Sequence, residues 1–124
     1  MEGRNQDTSK KIKYFFVKET QIIHHFSCLK LSNKINQLGE RCFFNCSNLS
    51  TINLPICISS IGNECFSNCS NLSTINLPTS ISSIGNGCFY DCSKLKGHIF
   101  IDPNNPTFLT DGTKIYRKDN EEEV

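Results

Sequence analysis

The eleven residues 45–55 recur letter for letter at 68–78, so the chain contains a tandem repeat. The same displacement of 23 positions relates four sets of residues around this segment. They are Gly39, Gly62 and Gly85; Cys42, Cys65 and Cys88; Phe43, Phe66 and Phe89; and Cys46, Cys69 and Cys92. A unit of this length cannot bury its own apolar face, whereas stacked copies can. The repeat therefore predicts a pile of near-identical coils that share one continuous core.

A period of 20–29 residues is typical of leucine-rich-repeat solenoids. We assign full repeats to residues 35–57 and 58–80, and a third with an altered exit to 81–101. Leu49, Leu72 and Leu95 should form one buried file, and Ile58, Ile61 and Phe66 should fill the core from the opposite wall. The segments 51–54, 74–77 and 98–101 are predicted strands of one parallel sheet. Residues 63–68 and their copies are long enough for one helical turn only.

The remaining segments complete a single domain over residues 10–118. Residues 10–34 are interpreted as an N-terminal cap with a degenerate repeat, and 102–118 as a C-terminal cap. Asp111 and Gly112 indicate a two-residue hairpin turn within that cap, and repeat arrays require such caps. Residues 1–9 and the acidic segment 119–124 are predicted to be disordered tails.

Composition excludes several classes of function. The net charge is +1 over 124 residues, so no basic field is present that would attract nucleic acid. No apolar run approaches the roughly 20 residues of a membrane-spanning helix. The N-terminus lacks the apolar segment of a signal peptide, which by sequence alone favours the cytoplasm.

The consensus of the repeat resembles the BspA-like class of leucine-rich repeats. It reads Ser-Ile-Gly-Asn-x-Cys-Phe-x-x-Cys-Ser-x-Leu-x-x-Ile-x-Leu-Pro. That class usually has Ala-Phe where this chain has Cys-Phe. The resemblance covers roughly residues 26–118. It implies a strand-dominated α/β fold: a right-handed solenoid with a short parallel sheet on the concave face, short helical turns on the convex side and a C-terminal β-hairpin cap. It also implies a binding role without catalytic residues, often at the cell surface of bacteria or parasitic protists.

The eight cysteines admit three interpretations. Because the pairs Cys42/Cys46, Cys65/Cys69 and Cys88/Cys92 recur at every coil, stacked buried thiols are favoured. A disulfide ladder and a tetrahedral metal site are the less favoured alternatives. Because buried thiols are favoured, no cofactor or metal is expected. Cys28 and Cys57 fall outside the pattern and are candidates for reactive thiols.

Strand alternation predicts which side chains face a partner. Cys28 begins one row of the concave face, and the rest of the two rows are the candidate binding residues: Lys30, Thr51, Asn53, Thr74, Asn76, His98 and Phe100. Such a surface could hydrogen-bond a protein or glycan, although a merely solvated sheet face is the simpler alternative. We interpret the chain as a non-catalytic protein-interaction module, monomeric, with end-to-end association as a further option. A cysteine-rich metal-binding or redox-responsive protein and an architectural fragment of a larger repeat assembly are the competing hypotheses.

Overall fold

The computed structural model describes the backbone of residues 5–7 and all of residues 26–124. The chain forms short strands separated by tight turns, with one 3₁₀ turn at Ser93–Leu95. The strands are β1 (Asn5–Asp7), β2 (Cys28–Lys30), β3 (Gln37–Leu38), β4 (Thr51–Asn53), β5 (Ser60–Ile61), β6 (Ile75–Leu77), β7 (Ser83–Ile84), β8 (Ile99–Ile101), β9 (Phe108–Thr110) and β10 (Ile115–Arg117). This strand-dominated architecture is the predicted leucine-rich-repeat solenoid.

The first wall of the solenoid contains the predicted parallel strands, but they do not form one continuous sheet. β1, β2 and β4 pair in one ladder, and β6 pairs with β8 in another. Just before β4 and β6, the N–H of Ser73 donates to the main-chain oxygen of Ser50 at 3.0 Å, but the two strands themselves form no ladder. The third coil has one extra residue at its exit, so Ile75 pairs with Ile99 across 24 positions and β6 starts one residue late. We call this interruption the seam.

The second wall is a parallel sheet that was not predicted from the sequence. β3, β5 and β7 pair without interruption, in the 23-residue register Gln37↔Ser60 and Ser60↔Ser83. Their second residues, Leu38, Ile61 and Ile84, point into the core. Two-residue strands are too short to show alternation in sequence, which is why only their burial was predicted.

The turn after each of these strands is not a continuous helical turn. The N–H of Cys65 donates to the oxygen of Gly62 and that of Ser67 to the oxygen of Glu64, and each bond closes a four-residue turn. Left-handed residues recur within these turns at Arg41, Glu64 and Gly87, and again at Asn45, Asn68 and Asp91. Because a left-handed residue cannot continue a right-handed helix, the segment 63–68 folds as successive tight turns instead.

The core confirms the stacking on which the prediction rests. Leu49, Leu72 and Leu95 are all buried in one cluster, together with Ile58, Ile61 and Phe66. Three phenylalanine rings stack through it, with centroids 5.3 Å apart between Phe43 and Phe66 and 5.6 Å apart between Phe66 and Phe89. Glycine is required at the strand ends, since a Cβ on Gly85 would lie 2.4 Å from the main-chain nitrogen of Asn63.

The C-terminal hairpin is present, with a longer loop than predicted. β9 and β10 pair antiparallel with Thr110 opposite Ile115, so the loop spans residues 111–114 rather than Asp111 and Gly112 alone. The Oδ1 of Asp111 accepts hydrogen bonds from the N–H groups of Thr113 and Lys114, both at 2.8 Å. This Asp-based turn closes the longer loop.

One of the links between the hairpin and the repeats is a buried polar side chain. Asn105 is fully buried, and its Nδ2 donates to the main-chain oxygens of Pro78 at 2.9 Å and Ile81 at 3.0 Å. Its Oδ1 accepts from the N–H groups of Thr107 and Phe108, both at 2.8 Å. All the polar atoms of this amide are therefore paired.

The structure describes parts of both segments that the sequence predicted to be disordered tails. Residues 119–124 fold back along β10, where Glu123 bridges Tyr116, the N–H of Val124 donates to Ile115 at 2.8 Å and Val124 packs on the core. At the other end β1 pairs parallel with β2, Asn5 opposite Cys28. That register is again 23, so the array extends toward the N-terminus. The predicted cap over residues 10–25 lies outside the described residues.

Candidate functional site

The predicted binding residues lie together on the outer side of the first wall, which we call the strand face. In β2 and β4 the central residue is buried while Lys30 and Asn53 are exposed. Lys30 pairs with Asn53 and Asn76 pairs with Phe100. The placement on one face follows from strand alternation, as expected; the binding role remains a prediction.

The two rows differ in exposure. Cys28, Thr51 and Thr74 are half-buried, whereas Lys30, Asn53, Asn76, His98 and Phe100 are exposed. The hydroxyl of Thr74 donates to the main-chain oxygen of His98 over 3.5 Å. Hydrogen bonding to Thr51 lowers the pKa of the Cys28 thiol from its ordinary value. Asn53 and Asn76 lie on opposite sides of the seam, so their two amides are not locked together by a strand ladder.

An open groove lies at the end of the strand face. Its volume is about 520 Å³, and it is lined by Leu54, Ile56, Asn76, Leu77, Pro78, Phe100, Ile101, Asp102 and Pro103. Two large apolar side chains stand exposed here, Ile56 at 79% and Phe100 at 48%. Asn76 and Phe100 were predicted from strand alternation. Ile56 was missed because it follows Pro55, beyond the strand, where alternation no longer indicates direction.

The cysteine columns are buried thiols. Cys42, Cys46, Cys65, Cys69, Cys88 and Cys92 are all buried, and all eight cysteines are free. The thiol of Cys69 donates to the main-chain oxygen of Phe43 at 3.1 Å, and that of Cys92 to Phe66 at 2.9 Å. The predicted burial of the stacked thiols is confirmed.

Burial and hydrogen bonding raise the pKa of the Cys65, Cys69 and Cys88 thiols. A hydrogen bond with Cys46 raises the pKa of Cys69 to about 12, and desolvation raises the pKa of Cys88 to about 12. Desolvation likewise raises the pKa of Cys65. Within residues 26–124, no three His, Cys, Asp or Glu side chains are grouped so as to hold a metal ion.

Comparison with known families agrees with the coil geometry. The family model "BspA type Leucine rich repeat region (6 copies)" matches residues 7–111. The chain belongs to this family. The match of this BspA-type protein begins at residue 7, in keeping with the 23-residue register of β1 on β2. No curated protein sequence matches the chain.

Solved structures share the fold. A structure titled "The Crystal structure of Pneumococcal vaccine antigen PcpA" aligns with a TM-score of 0.70 and 24% identity, covering 77% of this chain and 24% of that one. A leucine-rich repeat protein of T. pallidum, TpLRR, aligns with a TM-score of 0.50 and 21% identity, covering 73% of this chain and 49% of that one. The BspA-type protein thus spans a quarter to a half of these two neighbours. At such identities the likeness establishes the fold alone.

In the part of the chain that the structure describes, no helix is long and apolar enough to cross a bilayer.

Proposed function

We propose that the chain is a non-catalytic protein-interaction module that binds a protein partner through the strand face and the groove at its end. The observation that carries the proposal is the pairing of exposed apolar and amide groups. Phe100 and Ile56 are exposed in the same groove as the amide of Asn76. Aromatic anchors beside polar groups are typical of the energetic centre of protein interfaces.

The chemistry of the groove favours a protein over a glycan. Leu54, Ile56, Leu77 and Pro78 give it an aliphatic floor, which suits apolar side chains. The rows beyond the groove supply hydrogen-bonding groups from Thr51 and Asn53, with Lys30 as the only formal charge among the predicted residues. Shape and hydrogen bonds, rather than charge, would therefore select the partner.

A cell-surface location is part of the proposal. It rests on the family resemblance and on the pneumococcal neighbour, whose title names it a vaccine antigen. Protease shaving of intact cells, followed by detection of peptides from residues 26–124, tests it. Peptides released only after lysis would contradict this location.

Binding is tested by comparing partners captured by the wild type and by Phe100→Ala and Asn76→Ala. Leu109→Ala is the matched control, because Leu109 is also an exposed apolar residue, at 39%, but lies on the hairpin. A partner that uses the strand face should bind Phe100→Ala about 30-fold more weakly, as for a loss of about 2 kcal/mol, and Leu109→Ala normally. Capture mainly of glycans would contradict a protein partner. Equal capture by all variants would contradict binding through the strand face.

A further inference from the structure

The last coil ends in an unpaired backbone edge on the second wall. In each earlier coil, three N–H groups donate to the next coil, over 2.7–2.9 Å. The donors are Arg41, Phe43 and Asn45 toward Asn63, Cys65 and Ser67, then Glu64, Phe66 and Asn68 toward Asn86, Cys88 and Tyr90. The equivalent groups in the last coil belong to Gly87, Phe89 and Asp91. Within residues 26–124 no acceptor lies opposite them.

The same edge also presents acceptors. The main-chain oxygen of Ser59 accepts from the N–H of Ser82, and that of Ile61 accepts from Gly85. One coil further on, the oxygens of Ser82 and Ile84 receive no hydrogen bond from the described residues. Donors and acceptors thus continue in register from β7 through the following turn. Such an edge is a template for an added strand.

A partly apolar slot adjoins this edge. Its volume is about 240 Å³, and its lining includes Ile84, Phe89, Tyr90, Ile115 and Val124 together with the ion pair of Lys114 and Glu123. A cavity of about 150 Å³ accommodates benzene, so the slot has room for one aromatic ring. Phe89 has a stacked neighbour, Phe66, on its inner side only, and it is half-buried where Phe66 is fully buried. The position of a fourth ring in the stack is open.

The hairpin excludes a complete further coil. The N–H of Ile99 in β8 donates to the oxygen of Gly112 at 2.9 Å, and the N–H of Gly97 donates to the hydroxyl of Thr113 at 3.1 Å. The hairpin loop therefore occupies the place beside β8 where the first wall would continue. Within residues 26–124, the second wall stays open at its last coil. A second copy that stacked end to end would have to displace the hairpin.

We propose that this edge and slot form a second binding site, for a segment of a partner protein that carries an aromatic side chain and follows the turns of a repeat coil. The segment pairs with the main chain of residues 82–91 and lays its ring on the outer face of Phe89. Main-chain hydrogen bonds supply the affinity and the slot supplies the specificity, as in strand addition to a sheet edge. The site is independent of the strand face.

The probe is a fluorescent peptide with the sequence of residues 61–69, in which alanine replaces both cysteines, because a further repeat would present this segment to the edge. The control peptide also has alanine in place of the phenylalanine. Anisotropy titrations should show saturable binding of the first peptide and at least tenfold weaker binding of the control. Amide NMR shifts should concentrate at Gly87, Phe89 and Asp91. Equal binding of both peptides, or none up to about 1 mM, overturns the proposal.

Two protein variants complete the test. Tyr90→Glu puts a charge at the mouth of the slot; the side chain is 67% exposed, so folding should be retained. Phe100→Glu is the matched control on the strand face. We expect Tyr90→Glu to weaken the peptide at least tenfold and Phe100→Glu to leave it unchanged. A wild-type dimer in sedimentation that Tyr90→Glu dissociates would identify a second copy as the occupant and would overturn the assignment to a partner segment.

Discussion

The Nδ2 of Asn105 donates a hydrogen bond to the main-chain oxygen of Ile81 over 3.0 Å, joining the C-terminal hairpin to the third repeat. Asn105→Ala leaves buried donors and acceptors unpaired, and each such group costs about 1–3 kcal/mol. We expect a loss of about 3 kcal/mol in the free energy of unfolding, measured by urea denaturation. The neighbouring exposed Asn104 is the control, and Asn104→Ala should change stability by less than about 0.5 kcal/mol. Similar effects of the two substitutions would show that Asn105 does not fasten the hairpin.

Two glycines of the last coil should respond differently to substitution. Gly85→Ala places a Cβ 2.4 Å from the nitrogen of Asn63, so two coils must separate, and we expect a loss of more than about 2 kcal/mol. Gly87 is left-handed with φ 62°, like Glu64 with φ 54° in the preceding repeat, and its Cβ position is 3.5 Å from the nearest atom, Cγ of Glu64. Gly87→Asn should therefore cost less than about 1 kcal/mol, because asparagine tolerates this conformation. Thermal unfolding of both variants measures the difference; a larger loss in Gly87→Asn would contradict the close-approach argument.

Thiol reactivity should divide the cysteines into two groups. A pKa of about 12 at Cys69 and Cys88, against an ordinary 9.0, lowers the thiolate fraction at pH 8 about 1000-fold. In an Ellman titration of the native protein we expect only the half-buried Cys28 and the exposed Cys57 to react, with the remaining six thiols appearing on unfolding. The double variant Cys28→Ser, Cys57→Ser should then show no rapid phase. A third thiol reacting at the native rate would disprove the division.

Stability should fall in alkaline solution for the same reason. Above pH 9 the unfolded chain loses the proton of Cys88, while the folded chain keeps it until the pKa of about 12. The unfolded state then binds fewer protons, so the free energy of unfolding decreases with pH by up to about 1.4 kcal/mol per pH unit from this thiol. Denaturation curves between pH 9 and 11 should show a shallower decline in Cys88→Ala than in the wild type. Parallel declines would mean that Cys88 titrates alike in both states.

The features that recur in every repeat could be predicted from the sequence, because equivalent positions of successive coils occupy equivalent places in the fold. The buried file of Leu49, Leu72 and Leu95 and the thiol columns follow directly from the period. Features set by single contacts could not be predicted. In the sequence Asn105 is an ordinary polar loop residue; only the structure shows its hydrogen bonds with the main chain of Ile81 and Phe108.

The candidate site divides in the same way. Strand alternation predicted the exposure of Asn53, Asn76 and Phe100, because their strands are long enough to define two faces; their role in binding stays a prediction. Ile56 and the open edge at Gly87 depend on turns, where no periodicity indicates which way a group points. The ordering of residues 119–124 was missed because a run of glutamates carries no sign that Val124 reaches the core.

The seam between β4 and β6 should make the two walls of the solenoid differ in stiffness. A complete ladder joins β3, β5 and β7 and sets the spacing of Ser60 and Ser83. No ladder joins Asn53 to Asn76, so we expect bending of the array to change their separation more. A ligand that hydrogen-bonds both amides therefore binds two groups whose separation is not set by a ladder. Its affinity should depend on how closely the spacing of its own polar groups matches the separation of Asn53 and Asn76 in the unbent array.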